Sequence, residues 1–165
     1  MAIKDAFIAE LKHETSLTKK ILERVPWDKK DWKPHEKSMS IGRLSTHVAE
    51  VINWISVIRA IDEFDFMRDF PFKRHTEETH EGLMQLFQAY LDKAIEDLDG
   101  MSDDDFNKTW TVKRGEQVMM AVPKKVAVRG WALSHHIHHR GQLSVFLRLL
   151  DVPVPGMYGP SADER

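Results

Sequence analysis

Apolar side chains recur every three to four residues along four stretches of the chain, the spacing that lines one face of an α-helix. The first stretch runs from about Ile3 to Val25 and carries Phe7, Ile8, Leu11, Leu17, Ile21 and Leu22; Pro26 then stops it. The second runs from about Ser40 to Ile61, with Ser40 as N-cap and a stripe of Leu44, Val48, Val51, Ile55 and Ile58. The third, from about Glu77 to Leu98, carries Leu83, Leu86, Phe87, Tyr90, Leu91, Ala94 and Ile95 and ends at Gly100. The fourth begins after Pro123 and reaches about Leu150, with Val128, Ala132, His135, His139, Gln142, Phe146 and Leu149 expected to face inward.

The connections read differently. WDKKDWKPHEKSMS is a polar loop, and FDFMRDFPFKRHT is expected to be an ordered crossover loop. TWTVKRGEQVMM places two β-favouring runs around an Arg-Gly turn, which predicts a short hairpin before the last helix. The Pro- and Gly-rich tail DVPVPGMYGPSADER cannot be helical throughout. The expected fold is all-α: one domain over residues 1–165, a four-helix bundle with a short β-hairpin. The long connections argue against simple up-down-up-down topology.

Composition narrows the chemistry. The absence of Cys excludes disulfides, thiolate metal sites and Cys nucleophiles, so a metal must be held by His and carboxylates. A net charge of -2 with no long basic run argues against nucleic acid as a partner. No run of apolar residues is long enough to span a membrane, and the charged N-terminus lacks a signal-peptide core. The expected compartment is the cytoplasm.

Four of the nine His lie in HHIHHRGQ. His135 and His139 are four apart, one above the other on a helix, on the stripe where Leu would be usual. His47, between Leu44 and Val51, is the natural third ligand. Three imidazoles leave coordination positions open, as catalytic metal sites do. Taken singly, an inward His is more often a core residue hydrogen-bonded to a neighbour. The pairings 135/138 and 136/139 also have one-turn spacing and stay open on spacing alone. His136 and His138 are expected at the surface or behind the ligands, and His13, His35, His75 and His80 in solvent. Met119, Met120, Trp54 and Trp131 read as packing. Glu50 and Gln142, one turn after His47 and His139, are candidates for supporting the ligands or moving protons. Arg140 is a candidate for binding an anion or for a surface ion pair, and the tail around Tyr158 for closing over the site.

With these residues in hand, the chain resembles the DinB-like (damage-inducible, YfiT-related) family of bundle metalloproteins over nearly its whole length. The segment DWKPHEKSMSIGRLSTHVAE is similar to the approach to that family's first His ligand, and HHIHHRGQLSVFLRLL to its last-helix HxxxH motif. The tail VPVPGMYGPSADE is similar too. The resemblance implies His47, His135 and His139 as ligands, a divalent metal such as Zn or Ni, and a homodimer; the family name reflects gene regulation and implies no DNA binding. Exposed Phe64, Phe66, Phe70 and Phe72 would supply a dimer patch. Relatives imply a metal-dependent transferase or hydrolase acting on a small molecule, including thiol S-transferases that use a low-molecular-weight thiol. The alternative expectation is a non-catalytic metal- or ligand-binding stress-response protein.

Overall fold

The first amphipathic stretch forms helix α1 (Ile3–Leu22) in the computed structural model, which describes residues 2–69 and 76–164. Its buried face holds Leu11, Leu17, Ile21 and Leu22, but also Glu14 and Thr18. The second stretch starts as expected, with the Ser40 hydroxyl accepting from the Arg43 amide at 3.2 Å. It is not one helix, however. Helix α2 (Ile41–Val51) ends at a turn through Ile52 and Asn53, and α3 (Trp54–Ala60) resumes beyond it. Helix α4 (His80–Asp99) is capped by Thr79, whose hydroxyl accepts from the Gly82 amide. The short α5 (Asp103–Asn107) opens with a capping box between Ser102 and Asp105.

The segment expected to be only a crossover loop contributes strand β1 (Glu63–Asp65), so the protein is mostly helical with a small three-stranded sheet. Strand β1 pairs in parallel with β2 (Thr109–Arg114), and β2 pairs antiparallel with β3 (Gln117–Pro123). The β2–β3 turn passes through Gly115 at φ 59, a conformation glycine adopts without the usual Cβ clash. Strand alternation turns Phe64 inward onto Trp54, with ring centroids 5.0 Å apart. Trp110 and Trp131 join the same aromatic cluster. This corrects the expected patch: Phe64 is fully buried and Phe66 half-buried against it, while Phe70 and Phe72 lie outside the described residues.

The last stretch runs as α6 (Lys124–Ala127), a π-helical turn (Val128–Ser134) and α7 (His135–Leu149). Helix α1 packs on α4 and α7, and α2 packs on the same two helices, which places the core between them. The π turn decides which face of α7 is buried. Each π turn takes about one residue more than an α turn. The buried face therefore passes from Val128 and Ala132 to His136, Arg140, Leu143 and Leu147. His135, His139 and Phe146 stand at its edge, half-buried, and Gln142 and Leu149 are exposed, contrary to the expected inward stripe. Among the described residues, no helix is long and apolar enough to cross a membrane.

Candidate metal centre

Helices α2 and α7 bring His47, His135 and His139 together. One ligand atom from each lies within 4.8 Å of the other two, and among the described residues no second such cluster of potential ligands occurs. The His47 ring sits 4.5 Å from the His139 ring and 5.4 Å from the His135 ring. The pairings left open by spacing are thereby resolved by position. His138 is exposed, and His136 points away from the cluster into the core.

Hydrogen bonds behind the rings fix where the protons sit. His139 Nδ1–H donates to Gln142 Oε1 at 2.7 Å, and His135 Nδ1–H donates to the Trp131 carbonyl at 3.3 Å. Both Nε2 atoms then carry lone pairs, and they face one another at 2.9 Å. Two nitrogens held this close are satisfied by a positive charge between them, either a shared proton or a metal ion. Two nitrogens about 2.1 Å from a tetrahedral zinc would be roughly 3.4 Å apart, so a small opening of the 2.9 Å separation would admit one ion. The donor set therefore fits a divalent metal. Glu50, 2% exposed, stands behind His47 with a carboxylate oxygen 3.7 Å from Nδ1, and Arg43 pairs with the same oxygen at 2.9 Å. A carboxylate behind a ligating imidazole orients the ring and raises its basicity.

The electrostatics favour neutral, ligand-competent rings. Burial depresses the His139 pKa to about 4, and the neighbouring His47 and His135 push it further in that direction against the Gln142 hydrogen bond. His135 is lowered as well, first by burial and then by His47.

Four residues, His136, Arg140, Tyr158 and His80, sit differently from expectation. His136 is buried rather than superficial: its Nε2 lies 2.7 Å from Thr18 Oγ1 and its Nδ1 3.1 Å from the Val48 carbonyl. Arg140 is also buried, donating to Glu14 Oε2 and to the Tyr158 hydroxyl, each at 2.6 Å. Tyr158 in turn donates to Glu14 at 2.7 Å, so the tail is tied to α1 and Arg140 instead of to the three histidines. The one sequence signal for this network was the pair of polar residues, Glu14 and Thr18, one turn apart on the apolar side of α1. Of the other histidines, His13 and His35 are exposed, His80 is half-buried with Nε2 2.8 Å from the Leu22 carbonyl, and His75 is outside the described residues.

The fold is a helical bundle with three converging imidazoles between two of its helices, a group that could hold a metal ion. The chain belongs to the DinB family, whose model matches residues 1–165. It is 27% identical over 136 residues to the uncharacterized protein YjoA of Bacillus subtilis, covering 81% of each chain. The crystal structure of that DinB-like protein superposes with a TM-score of 0.69, at 20% identity, over 90% of this chain and 95% of that one. A DinB-like protein from Bacillus cereus gives a TM-score of 0.65 at 20% identity, over 93% and 97%. YfiT from Bacillus subtilis, described as a probable metal-dependent hydrolase with an unusual four-helix bundle topology, gives 0.66 at 15% identity, over 90% and 87%.

Proposed function

We propose that this protein is a divalent-metal-dependent enzyme that cleaves or transfers a group on a small electrophilic substrate at His47, His135 and His139, with zinc or nickel as its metal. The observation that carries the reading is the pair of Nε2 lone pairs facing each other at 2.9 Å, with each Nδ1 committed to an acceptor behind it. The description of YfiT as a probable metal-dependent hydrolase supports hydrolysis ahead of thiol transfer.

When bound by three imidazoles, such an ion lowers the pKa of a coordinated water or thiol toward neutrality. The chain's own residues prepare that chemistry. Gln142 and the Trp131 carbonyl hold the Nδ1 protons of His139 and His135, so both rings present Nε2 inward. The buried Glu50, paired with the half-buried Arg43, places a carboxylate on the Nδ1 side of His47. Half-burial of all three rings limits water at the site.

The test is turnover by protein loaded in turn with zinc, nickel, manganese or iron. It uses a panel of activated esters and amides, with and without a low-molecular-weight thiol. Hydrolysis that disappears in His139→Ala supports the reading, and strict thiol dependence assigns transfer instead. Tight metal binding with no turnover across the panel would overturn it in favour of a non-catalytic metal-binding role. A homodimer belongs to the same proposal, supported by the exposed Val118 and Met119 on the outer strand β3. Light scattering that reports a monomer at micromolar concentration removes that element.

A further inference from the structure

The His47 and His139 rings meet where α2 and α7 cross, and one turn further on a groove of about 410 Å³ opens between the same helices. It is reached backward along α2, at Leu44, and forward along α7, at Gln142, Val145 and Phe146. The two helices are thus antiparallel here, and the groove continues the histidine site along their shared seam. Gln142 belongs to both: its Oε1 holds His139, and the side chain lines the groove.

The groove is mostly apolar, with one charged side chain in its lining. Met39, Leu44, Val145 and Phe146 form its walls. Phe146 is braced by Trp32, edge-on at 84° with centroids 5.7 Å apart, so that wall is held open by packing. Val145 is 56% exposed, a large apolar side chain left facing the groove and solvent. Lys37, itself exposed, also lines the groove, and among the described residues its ammonium enters no ion pair. No other charged residue lines the groove. At the roughly 30 Å³ that a liquid water occupies, the volume holds about a dozen non-hydrogen atoms.

We infer that this groove binds the apolar body of the substrate and that Lys37 receives a carboxylate. The substrate class is then an amphipathic anion: an electrophilic group at the histidines, an apolar chain or ring along Leu44 and Phe146, and a terminal carboxylate. The assignment to substrate rests on the proposed enzymatic role; the ligand class rests on the groove alone.

The test therefore uses binding to chelator-stripped protein, where a carboxylate has no metal to seek. Calorimetry with 4-phenylbutyrate and its neutral counterpart 4-phenylbutanol measures both parts of the claim. The acid binds about three- to five-fold more tightly than the alcohol, the scale of one exposed charge pair. Lys37→Glu reverses that order without weakening the alcohol. Val145→Trp, at an exposed position that leaves the core intact, fills the groove and weakens both ligands. Equal affinities that ignore Lys37→Glu, or no binding of either ligand at millimolar concentration, overturn the inference. Failure of the metal-loaded protein to turn over any substrate overturns the enzymatic reading and leaves the binding result standing.

Discussion

Thr18 Oγ1 and His136 Nε2 lie 2.7 Å apart in the centre of the bundle, joining α1 to α7. On its other side the same imidazole meets the Val48 carbonyl of α2 at 3.1 Å. One buried ring thus pins three helices. It fixes the rotation of α7 about its axis, and with it the direction in which the adjacent His135 points. Val48 follows His47 in the chain, so the pin also anchors the ligand-bearing turn of α2. The histidine cluster and the core are built from neighbouring residues with opposite tasks.

Those opposite tasks separate two substitutions. His136→Ala removes a packed ring and strips a buried carbonyl of its partner, at a cost of about 2–4 kcal/mol. His139→Ala alters a half-buried ring at the rim and costs the metal-free protein about 1 kcal/mol or less. Urea denaturation of both variants after chelation checks the contrast. Comparable losses would show that His136 is not the structural member of the pair.

Metal retention should follow the reverse order. Removing any of His47, His135 or His139 takes away one of three donors, and the triple Ala variant should hold no metal after dialysis against chelator. Gln142→Ala leaves all three ligands but frees the His139 ring to turn, and should weaken metal binding by about ten-fold. Elemental analysis and chelator competition give both values. A triple variant that keeps stoichiometric metal would move the site elsewhere.

Acid should destabilise the metal-free fold in a defined window. Burial, reinforced by the Arg140 charge, depresses the His136 pKa from 6.5 to about 4. Between those values the unfolded chain binds the proton that the folded chain refuses, so stability falls as pH falls. The contribution is intact above about 6.5 and gone below about 4, a change of roughly 3 kcal/mol. Unfolding of stripped protein at pH 7.5, 6 and 5 measures the slope, which His136→Ala should reduce, leaving the part that the lowered His135 and His139 contribute. Metal binding falls in acid too, because the ligands must be neutral to bind.

The four amphipathic stretches and the clustering of His47, His135 and His139 were legible because both depend on periodicity along single helices. Leu44 and Val48, or His135 and His139, declare their spacing locally. The turn at Ile52–Asn53 and strand β1 were not legible, since Glu63–Asp65 becomes a strand only through pairing with Thr111–Lys113. The inward face of α7 failed for a sharper reason. A stripe through Val128 and Ala132 continues equally well to 135 or 136, and only the π turn selects 136. The three histidines come together although the expected inward face did not hold: they lie on the flank of the core, where a site can stay open.

The tail is held by charge chemistry that substitutions can take apart. Glu14 and Arg140 are 5% and 2% exposed, and the Tyr158 hydroxyl bonds to both, although Tyr158 itself is 67% exposed. Burial tends to raise the Glu14 pKa, but hydrogen bonds from Tyr158 and Arg140 outweigh it, so the carboxyl stays ionised below its ordinary range. Arg140→Met leaves that carboxylate buried without its cation, which costs about 3–5 kcal/mol. Replacing both members together, Glu14→Leu with Arg140→Met, removes the stranded charge and should recover most of that loss. Tyr158→Phe deletes only one hydroxyl and should cost about 1 kcal/mol. Its visible effect is on the tail, which should become cleavable by protease after Leu150 while metal binding holds, because no hydrogen bond in the network reaches His47, His135 or His139. Loss of metal in Tyr158→Phe would show instead that the tail closes over the site.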